Sequence, residues 1–466
     1  MPLGLGRAGF KGCTHLMPLR DRRAGLNSLQ RRQAFLLFPF SPCQGLPGIF
    51  FMSSPAPQAP SSGHFSATWP MLLCLLTGFA LSQAYRTVAS IMADGLRTDF
   101  GLSAQSLGSF AGLFGLSFGV AQLLMGIGMD IYGLRRTLVL TFPLTIAGAA
   151  LSAFAPSYAW LMLGQLLIGV GCSPAFLACT MFIARHFPAD RFAYFSGIAM
   201  GMGGLGLLFT GTPLAWLVQH MGWRSGFGLL ALLSALSWLL IFFKVHEPTL
   251  ASDSQPKPGF MQALKGFGSL LLLPHTWGIV LLGMVSYASF LTVRGLWLSP
   301  MLMDRYEFSL IATGNVALTA SLISLFAPSL FGKLDPGPQK RRQRIARFAL
   351  LMAGIFIVLA LVHQASVSVA LLLMSSLSGY GTLLYADVRS SYPKEATGRA
   401  LSIFTMAMFL GAALMQSLSG VVAGAAERHG LDIYLAVMLM IACMLGLGAL
   451  AYCLIRPSAL LKQASY

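Results

Sequence analysis

Two arginines stand in the middle of long apolar stretches, where a charged side chain is costly. Arg86 lies within the stretch from Phe79 to Phe100, and Arg294 lies within the stretch from Phe290 to Phe308. A charged residue at the centre of a membrane-spanning helix costs roughly 2.5–3.5 kcal/mol on insertion scales, so a partner has to offset that cost. A guanidinium offers forked, charge-assisted hydrogen bonds to an anionic group. The two arginines therefore predict a binding site for an anion.

The two arginines also occupy matching places in a repeat. Arg86 and Arg294 are 208 residues apart, and so are Arg97 and Arg305. Arg86 lies about eleven residues from the polar end of its stretch, or roughly 16 Å at 1.5 Å per residue, which is near the middle of a ~30 Å hydrocarbon core. An internal duplication with a site at the midplane between the repeats is typical of secondary transporters.

The acidic residues offer no obvious partner for these arginines. Of the thirteen acids after position 52, only Asp94 is placed inside an apolar span, two helical turns beyond Arg86. Asp94 is therefore the candidate for proton coupling. The alternative is structural, with one or both arginines bonded to backbone carbonyls or to Asp94, or extended outward toward the polar end of the span.

Other polar and aromatic residues inside the spans are weaker candidates for the same site. Each could line a cavity, and each could equally make an ordinary contact between helices. These substrate-binding candidates are Gln83, Tyr85, Gln165, Trp297, Asn315 and Tyr380. No nucleophile–base pair, metal-ligand set or nucleotide-binding loop is recognisable, so we expect no catalytic residue, no metal and no cofactor.

The composition defines the elements that must position these residues. Hydrophobic residues make up 56% of 466, charged residues 10%, and the mean hydropathy is +0.72, which excludes a soluble domain. Twelve apolar stretches are long enough to cross a bilayer as helices. They are predicted at 70–95, 105–128, 137–156, 158–184, 192–218, 225–243, 276–300, 309–331, 347–365, 367–386, 398–425 and 432–455.

The longest polar break divides these spans into six plus six. The predicted parts are an N-terminal extension (1–68), a six-helix bundle (69–243), a central loop (244–275), a second six-helix bundle (276–455) and a tail (456–466). The extension opens with seven basic residues and one acid in its first 51 positions, and we favour Met52 as the true start of translation. The predicted fold is an all-α polytopic membrane protein with two pseudo-symmetric bundles.

The basic residues predict the orientation. Eighteen basic residues fall on one side of the spans and four on the other, which places both termini and the central loop in the cytoplasm. The net charge of +17 is spread over these short loops, so a nucleic-acid partner is not expected. The expected partners are the lipid bilayer and a small anionic solute. The short loops favour a bacterial inner membrane, and the chain is compatible with a monomer.

A glycine-rich motif joins the second and third spans. It contains Gly126, Asp130, Gly133, Arg135 and Arg136, and a reduced copy with Asp335 joins the eighth and ninth spans 205 residues later. With twelve spans in two sets of six, this motif resembles the loop signature of the major facilitator superfamily. The resemblance implies that superfamily's fold and a role for the motif in gating between helices.

The arrangement of the arginines resembles the organophosphate and organic-anion branches of the superfamily, which place arginines in the first and seventh spans. We therefore predict a secondary transporter of a small organic anion that works by alternating access, with proton symport through Asp94 or anion exchange. The drug antiporters of the superfamily carry an arginine where this chain has Gln165. The alternatives are an exporter of drug-like compounds and a membrane sensor that transports nothing.

Overall fold

The computed structural model describes residues 62–187, 192–246, 268, 270–392 and 394–455, and within these ranges every regular element is a helix. This confirms the predicted all-α fold. The helices are α1 (Ser62–Tyr85), α2 (Val88–Phe100), α3 (Ala104–Tyr132), α4 (Leu134–Ala153), α5 (Tyr158–Cys172), α6 (Ala175–His186), α7 (Phe192–Phe209), α8 (Thr212–Lys244), α9 (Pro274–Thr292), α10 (Leu298–Tyr306), α11 (Leu310–Lys333), α12 (Pro338–Leu361), α13 (Ala365–Ser375), α14 (Gly381–Ser391), α15 (Lys394–Arg428) and α16 (Ile433–Leu454).

The apolar helices are long enough to cross a membrane. In the described part of the chain, ten helical stretches meet that requirement, and α1 with α2 forms an eleventh that bends by 47°. One of the ten runs for 50 residues, from Phe195 to Lys244, and turns at Gly222, where φ is 79° and ψ is 165°. It therefore holds two of the twelve predicted spans, the fifth and the sixth.

The repeat is visible in two turns of nearly the same conformation. Gly133 joins α3 to α4 with φ 85° and ψ 162°. Gly337 precedes α12 with φ 83° and ψ 170°. An L-residue with a side chain rarely adopts such a positive φ, so glycine is needed at both places. The end of the structure that holds these turns is referred to below as the Asp335 end, and the opposite end as the Arg97 end.

A line of glycines on α3 lets this helix pack closely against α15, which belongs to the second half of the chain. The four residues Gly108, Gly112, Gly115 and Gly119, here named the glycine seam, lie at helical spacing and all face α15. A methyl group placed on Gly108 would lie 2.7 Å from the carbonyl oxygen of Gln416. Side chains are therefore excluded, and the two backbones approach each other directly.

Contacts between the predicted halves continue along the first and seventh spans. Ser90 donates a hydrogen bond to Ser299 at 3.0 Å, and nearer the end Arg97 forms an ion pair with Asp304 at 2.8 Å. The buried apolar core likewise contains residues of both halves, including Phe118. From the Arg97 end to the level of Arg86, residues of the two halves are thus in direct contact.

Candidate functional site

Both arginines lie where a membrane helix is interrupted. Arg86 follows the last residue of α1 and precedes α2, and Arg294 lies in a π-helical turn from Val293 to Trp297 between α9 and α10. The two breaks touch, because a methyl group on Gly295 would lie 2.9 Å from the carbonyl oxygen of Arg86. Interrupted helices in corresponding positions of two repeats are a feature of transporter binding sites.

The guanidinium of Arg86 is held by residues from both halves. It donates to the hydroxyl of Tyr287 and to that of Ser82, each at 3.3 Å. Its central carbon lies 4.9 Å from the ring centre of Phe118 and 4.6 Å from that of Phe409. These rings, 4.2 Å apart, come from α3 and α15 and offer cation–π contacts. Arg86 is 8% exposed, so it is a nearly buried cation at the boundary between the halves.

Arg294 points to different groups. Its NH2 nitrogen donates to the carbonyl oxygens of Leu207 (3.3 Å) and Thr210 (3.4 Å), and its Nε donates to Ser321 Oγ at 3.1 Å. Leu207 and Thr210 belong to the first half of the chain, and Arg294 and Ser321 to the second. Arg294 is 1% exposed. Each arginine therefore bridges the halves, but through separate sets of residues.

No carboxylate among the described residues forms an ion pair with Arg86 or Arg294. The described ion pairs lie near the ends of the helices, where the acids are Asp99, Asp304, Asp335 and Asp432. Aromatic rings, hydroxyls and carbonyls stabilise a guanidinium without cancelling its charge. The arrangement thus leaves net positive charge at the boundary between the halves.

Five of the eight predicted substrate-binding residues carry a buried polar atom to which the described residues offer no hydrogen bond. Native structures leave few such atoms, and each needs an explanation. The atoms are Gln83 Oε1, Arg86 Nε, Gln165 Nε2, Arg294 NH1 and Tyr380 Oη. Four of these atoms can donate a hydrogen bond, which suits an anion or a hydroxyl oxygen.

The other three predicted substrate-binding residues already have partners within the protein. The pairs are Tyr85 with Ser234 (3.0 Å), Trp297 with Ser419 (2.8 Å) and Asn315 with Thr212 (2.6 Å). The Asn315 pair joins the two halves, whereas each of the other two lies within one half. Tyr85, Trp297 and Asn315 thus make ordinary contacts between helices, which is the alternative to lining a cavity.

Asp94 is exposed and lies away from Arg86 toward the Arg97 end. It lines a small pocket, about the size of one water molecule, together with Ser90, Arg97, Ser299 and Asp304. Its role in proton coupling stays a prediction.

Within the loop motif, Gly133 forms the turn and Gly126 lies in α3 facing Leu177. Arg135 donates to the carbonyl oxygen of Phe242 at 3.0 Å, which ties α4 to α8, and Arg136 is exposed. The side chain of Asp130 lies outside the described residues. These contacts of Gly126 and Arg135 lie inside the first half, and the gating role of the motif stays a prediction.

The second copy of the motif is a compact ionic cluster. Arg341 donates through Nε and NH2 to both carboxylate oxygens of Asp335 at 2.7 to 3.1 Å, and through NH1 to Ala386 O and Ser390 Oγ. The hydrogen bonds from Arg341 are the largest cause that holds the pKa of Asp335 below its ordinary value of 3.8, with the Gly337 N–H adding to them and burial opposing them. The cluster joins the turn after α11 to α12 and α14.

We expect the Asp335 cluster to make stability depend on acid pH. Because the folded-state pKa is lowered, the contribution is complete above about pH 4 and is lost as pH falls through the folded-state pKa. Asp335→Asn should lower the free energy of unfolding at neutral pH by about 1 kcal/mol. On acidification, the variant should lose less stability than the wild type. The thermal midpoint between about pH 3 and pH 7 measures this. An equal acid-induced loss in the variant and the wild type would contradict it.

Sequence reasoning missed the aromatic residues around Arg86. Phe118 and Phe409 carry no distinguishing signal, because phenylalanine is common in apolar spans. Tyr287 does carry a signal in the sequence, because it is a hydroxyl-bearing residue inside the seventh span. It lies 208 residues after Phe79 of the first span.

Comparisons with known proteins agree with the fold. The sequence model of the Major Facilitator Superfamily matches residues 74–416. Among solved structures, a D-xylose–proton symporter has a TM-score of 0.65 at 18% identity and covers 84% of this chain and 98% of its own. A bacterial homologue of the lysosomal transporter Spinster, in an inward-facing and unoccupied conformation, has a TM-score of 0.63 at 17% identity and covers 86% and 100%.

The similar curated proteins are named as transporters. A probable sulfoacetate transporter of Cupriavidus necator is 26% identical over 404 residues, which is 83% of this chain and 93% of the relative. A probable L-galactonate transporter of Escherichia coli is 22% identical over 82% and 87%, and a probable galactarate/D-glucarate transporter of Bacillus subtilis is 23% identical over 75% and 84%. The loop motif and the interrupted helices agree with this match. Because the family's sequence model matches residues 74–416, this chain belongs to the Major Facilitator Superfamily.

Proposed function

We propose that this protein moves a small organic anion across the membrane by alternating access and that Arg86 binds the anionic group. The observation that carries this proposal is a nearly buried guanidinium between the halves, with no carboxylate partner among the described residues. An intramembrane cation that lacks a protein counter-ion marks a pathway for an anion. The anion would supply the charge that hydroxyls and aromatic rings do not.

The position of Arg86 supports a role in transport as well as in binding. It contacts Ser82 and Phe118 of the first half and Tyr287 and Phe409 of the second. An anion bound there would interact with both halves, so its binding energy would differ between conformations in which the halves are together and apart. Such a difference is what allows a ligand to shift a conformational equilibrium.

The relatives supply the class of solute. Those named above are described as transporters of sulfoacetate, L-galactonate and galactarate or D-glucarate, which all carry at least one carboxylate. We propose a solute of this class, a short organic acid with further oxygen atoms. Gln165 Nε2 could donate to those oxygens, and Gln83 Oε1 could accept from those that are hydroxyl groups.

We further propose that the Arg97 end faces away from the cytoplasm and that the membrane is a bacterial inner membrane. The excess of basic residues in the loops at the Asp335 end supports this orientation. The halves are in contact at the Arg97 end, so the conformation described would be closed to the outside. We also propose that Asp94 carries the proton that symport requires.

Thermal unfolding of the detergent-purified protein against a panel of organic anions tests the proposal. A ligand that binds only the folded state stabilises it by roughly 2.7 kcal/mol at 100 times its dissociation constant. We expect at least one class among sugar acids, sulfonates, short carboxylates and phosphate esters to raise the midpoint. Stabilisation by neutral or cationic amphiphiles alone would contradict the proposal and favour an exporter of drug-like compounds.

A further inference from the structure

The two arginines related by the repeat are bound by the protein in different ways. Arg86 has two hydroxyl partners at 3.3 Å, and its Nε has none among the described residues. Arg294 donates four hydrogen bonds of 3.1 to 3.4 Å, to Leu207, Thr210 and Ser321. With 1% exposure against 8% for Arg86, Arg294 is the more completely enclosed.

Of the four hydrogen bonds that Arg294 donates, one comes from Nε and three come from NH2. Two of the acceptors are backbone carbonyls at the end of α7, which stops at Phe209. The last carbonyls of a helix lack donors within the helix, and a cation is favourable beside them. Arg294 therefore caps the end of α7 from the opposite half of the chain. Ser321 belongs to the same contact, because its hydroxyl oxygen lies 3.2 Å from Leu207 O and 2.7 Å from Ala317 O of its own helix.

We propose that the two arginines have divided their roles. Arg294 is a positioning residue that ties the seventh span to the interrupted fifth span, and the anionic group of the solute belongs to Arg86 alone. This inference rests on the proposed transport of an organic anion and narrows its substrate class. The site takes a solute with one anionic group and an uncharged remainder in preference to a dianion of the same length.

Among the described residues, a second anionic group beside Arg86 would find no further cation to receive it, because Arg294 is enclosed. The one Arg294 nitrogen without a partner among the described residues is NH1, and the side chain that carries it is enclosed. A carboxylate that is taken out of water without a paired cation is strongly disfavoured. The unpartnered amide atoms of Gln83 and Gln165 suit hydroxyl groups instead.

Gluconate and glucarate form a matched pair for the test, because they share a six-carbon chain and differ by one terminal carboxylate. Their binding to the detergent-purified full chain is measured by the shift of the thermal midpoint with concentration. We expect gluconate to bind at least tenfold more tightly than glucarate. We expect Arg294→Gln to lower the midpoint of the ligand-free protein and to keep gluconate affinity within about threefold, whereas Arg86→Gln loses the gluconate shift.

Ser321→Ala provides a second variant if Arg294→Gln does not fold. It removes the acceptor of the Nε bond and the hydroxyl beside Leu207 O, and it leaves the bonds from NH2 of Arg294 in place. It should also keep gluconate affinity within about threefold. Glucarate binding as tightly as gluconate, with the shift lost in Arg294→Gln or Ser321→Ala, would overturn the division of roles and leave the anion site at Arg86 standing. A gluconate shift that survives in Arg86→Gln would instead overturn the proposed site. If neither acid shifts the midpoint while another anion does, the inferred solute class is wrong and the proposed function stands.

Discussion

Arg86→Gln is expected to weaken the binding of organic anions by about a hundredfold. Removing one partner of a buried charge pair costs roughly 2–5 kcal/mol, and about 3 kcal/mol corresponds to that factor. Glutamine is neutral and keeps a polar side chain, so it removes the charge with little loss of volume. The concentration dependence of the thermal midpoint measures the affinity for any anion that stabilises the wild type.

Arg97→Gln is the matched control, because it makes the same substitution on the same span. Arg97 pairs with Asp304 at the end of the structure, where the two side chains are 34% and 40% exposed. Ion pairs of such exposure contribute about 1 kcal/mol or less. Anion affinity should therefore stay within about threefold of wild type in Arg97→Gln. Equal anion affinity in Arg86→Gln and the wild type would contradict the assignment of the anion to Arg86.

Gly108→Leu is expected to slow transport by more than about tenfold while anion binding remains. The β-carbon alone would lie 2.7 Å from Gln416 O and 2.7 Å from the α-carbon of Gly420, and both of these are backbone atoms. Overpacking of this kind costs roughly 1–3 kcal/mol or more, which disfavours the conformation in which α3 and α15 are in contact. Transport by alternating access has to pass through that conformation. Uptake by reconstituted vesicles measures the rate.

Gly197→Leu is the control for this substitution, because a β-carbon on Gly197 meets no atom within 4 Å. It should transport at close to the wild-type rate. Gly108→Leu also differs from Arg86→Gln, because it keeps the midpoint shift caused by an anion and Arg86→Gln loses it. Unchanged uptake in Gly108→Leu would show that the glycine seam does not need to close during transport.

The helices were predictable because hydrophobic length alone defines a membrane span. The sequence also located both arginines, since a charge in an apolar stretch stands out whatever its surroundings. The turn at Gly133 was expected from the motif, and its positive φ shows why glycine is required there. The hydrophobic pattern separates the fifth and sixth spans on either side of Gly222, where the 50-residue helical stretch turns.

The interruptions at the arginines could not be predicted in the same way. The break between α1 and α2 contains Arg86 and Thr87 and no proline or glycine to mark it. The direction of each guanidinium was equally hidden, because it depends on which helices of the opposite half lie beside it. Arg294 reaches carbonyls that only the packing of α7 brings within range. The repeat gives the two arginines matching positions in the chain, and their different neighbours give them different contacts.

Uptake of radiolabelled organic anions by vesicles that contain the purified protein tests the central claim most directly. We predict that at least one sugar acid, sulfonate or short carboxylate accumulates with the wild type and with Arg97→Gln, and that accumulation falls to the level of protein-free vesicles with Arg86→Gln. Accumulation of the same anion at an undiminished rate by Arg86→Gln would contradict the claim that Arg86 binds the transported anion.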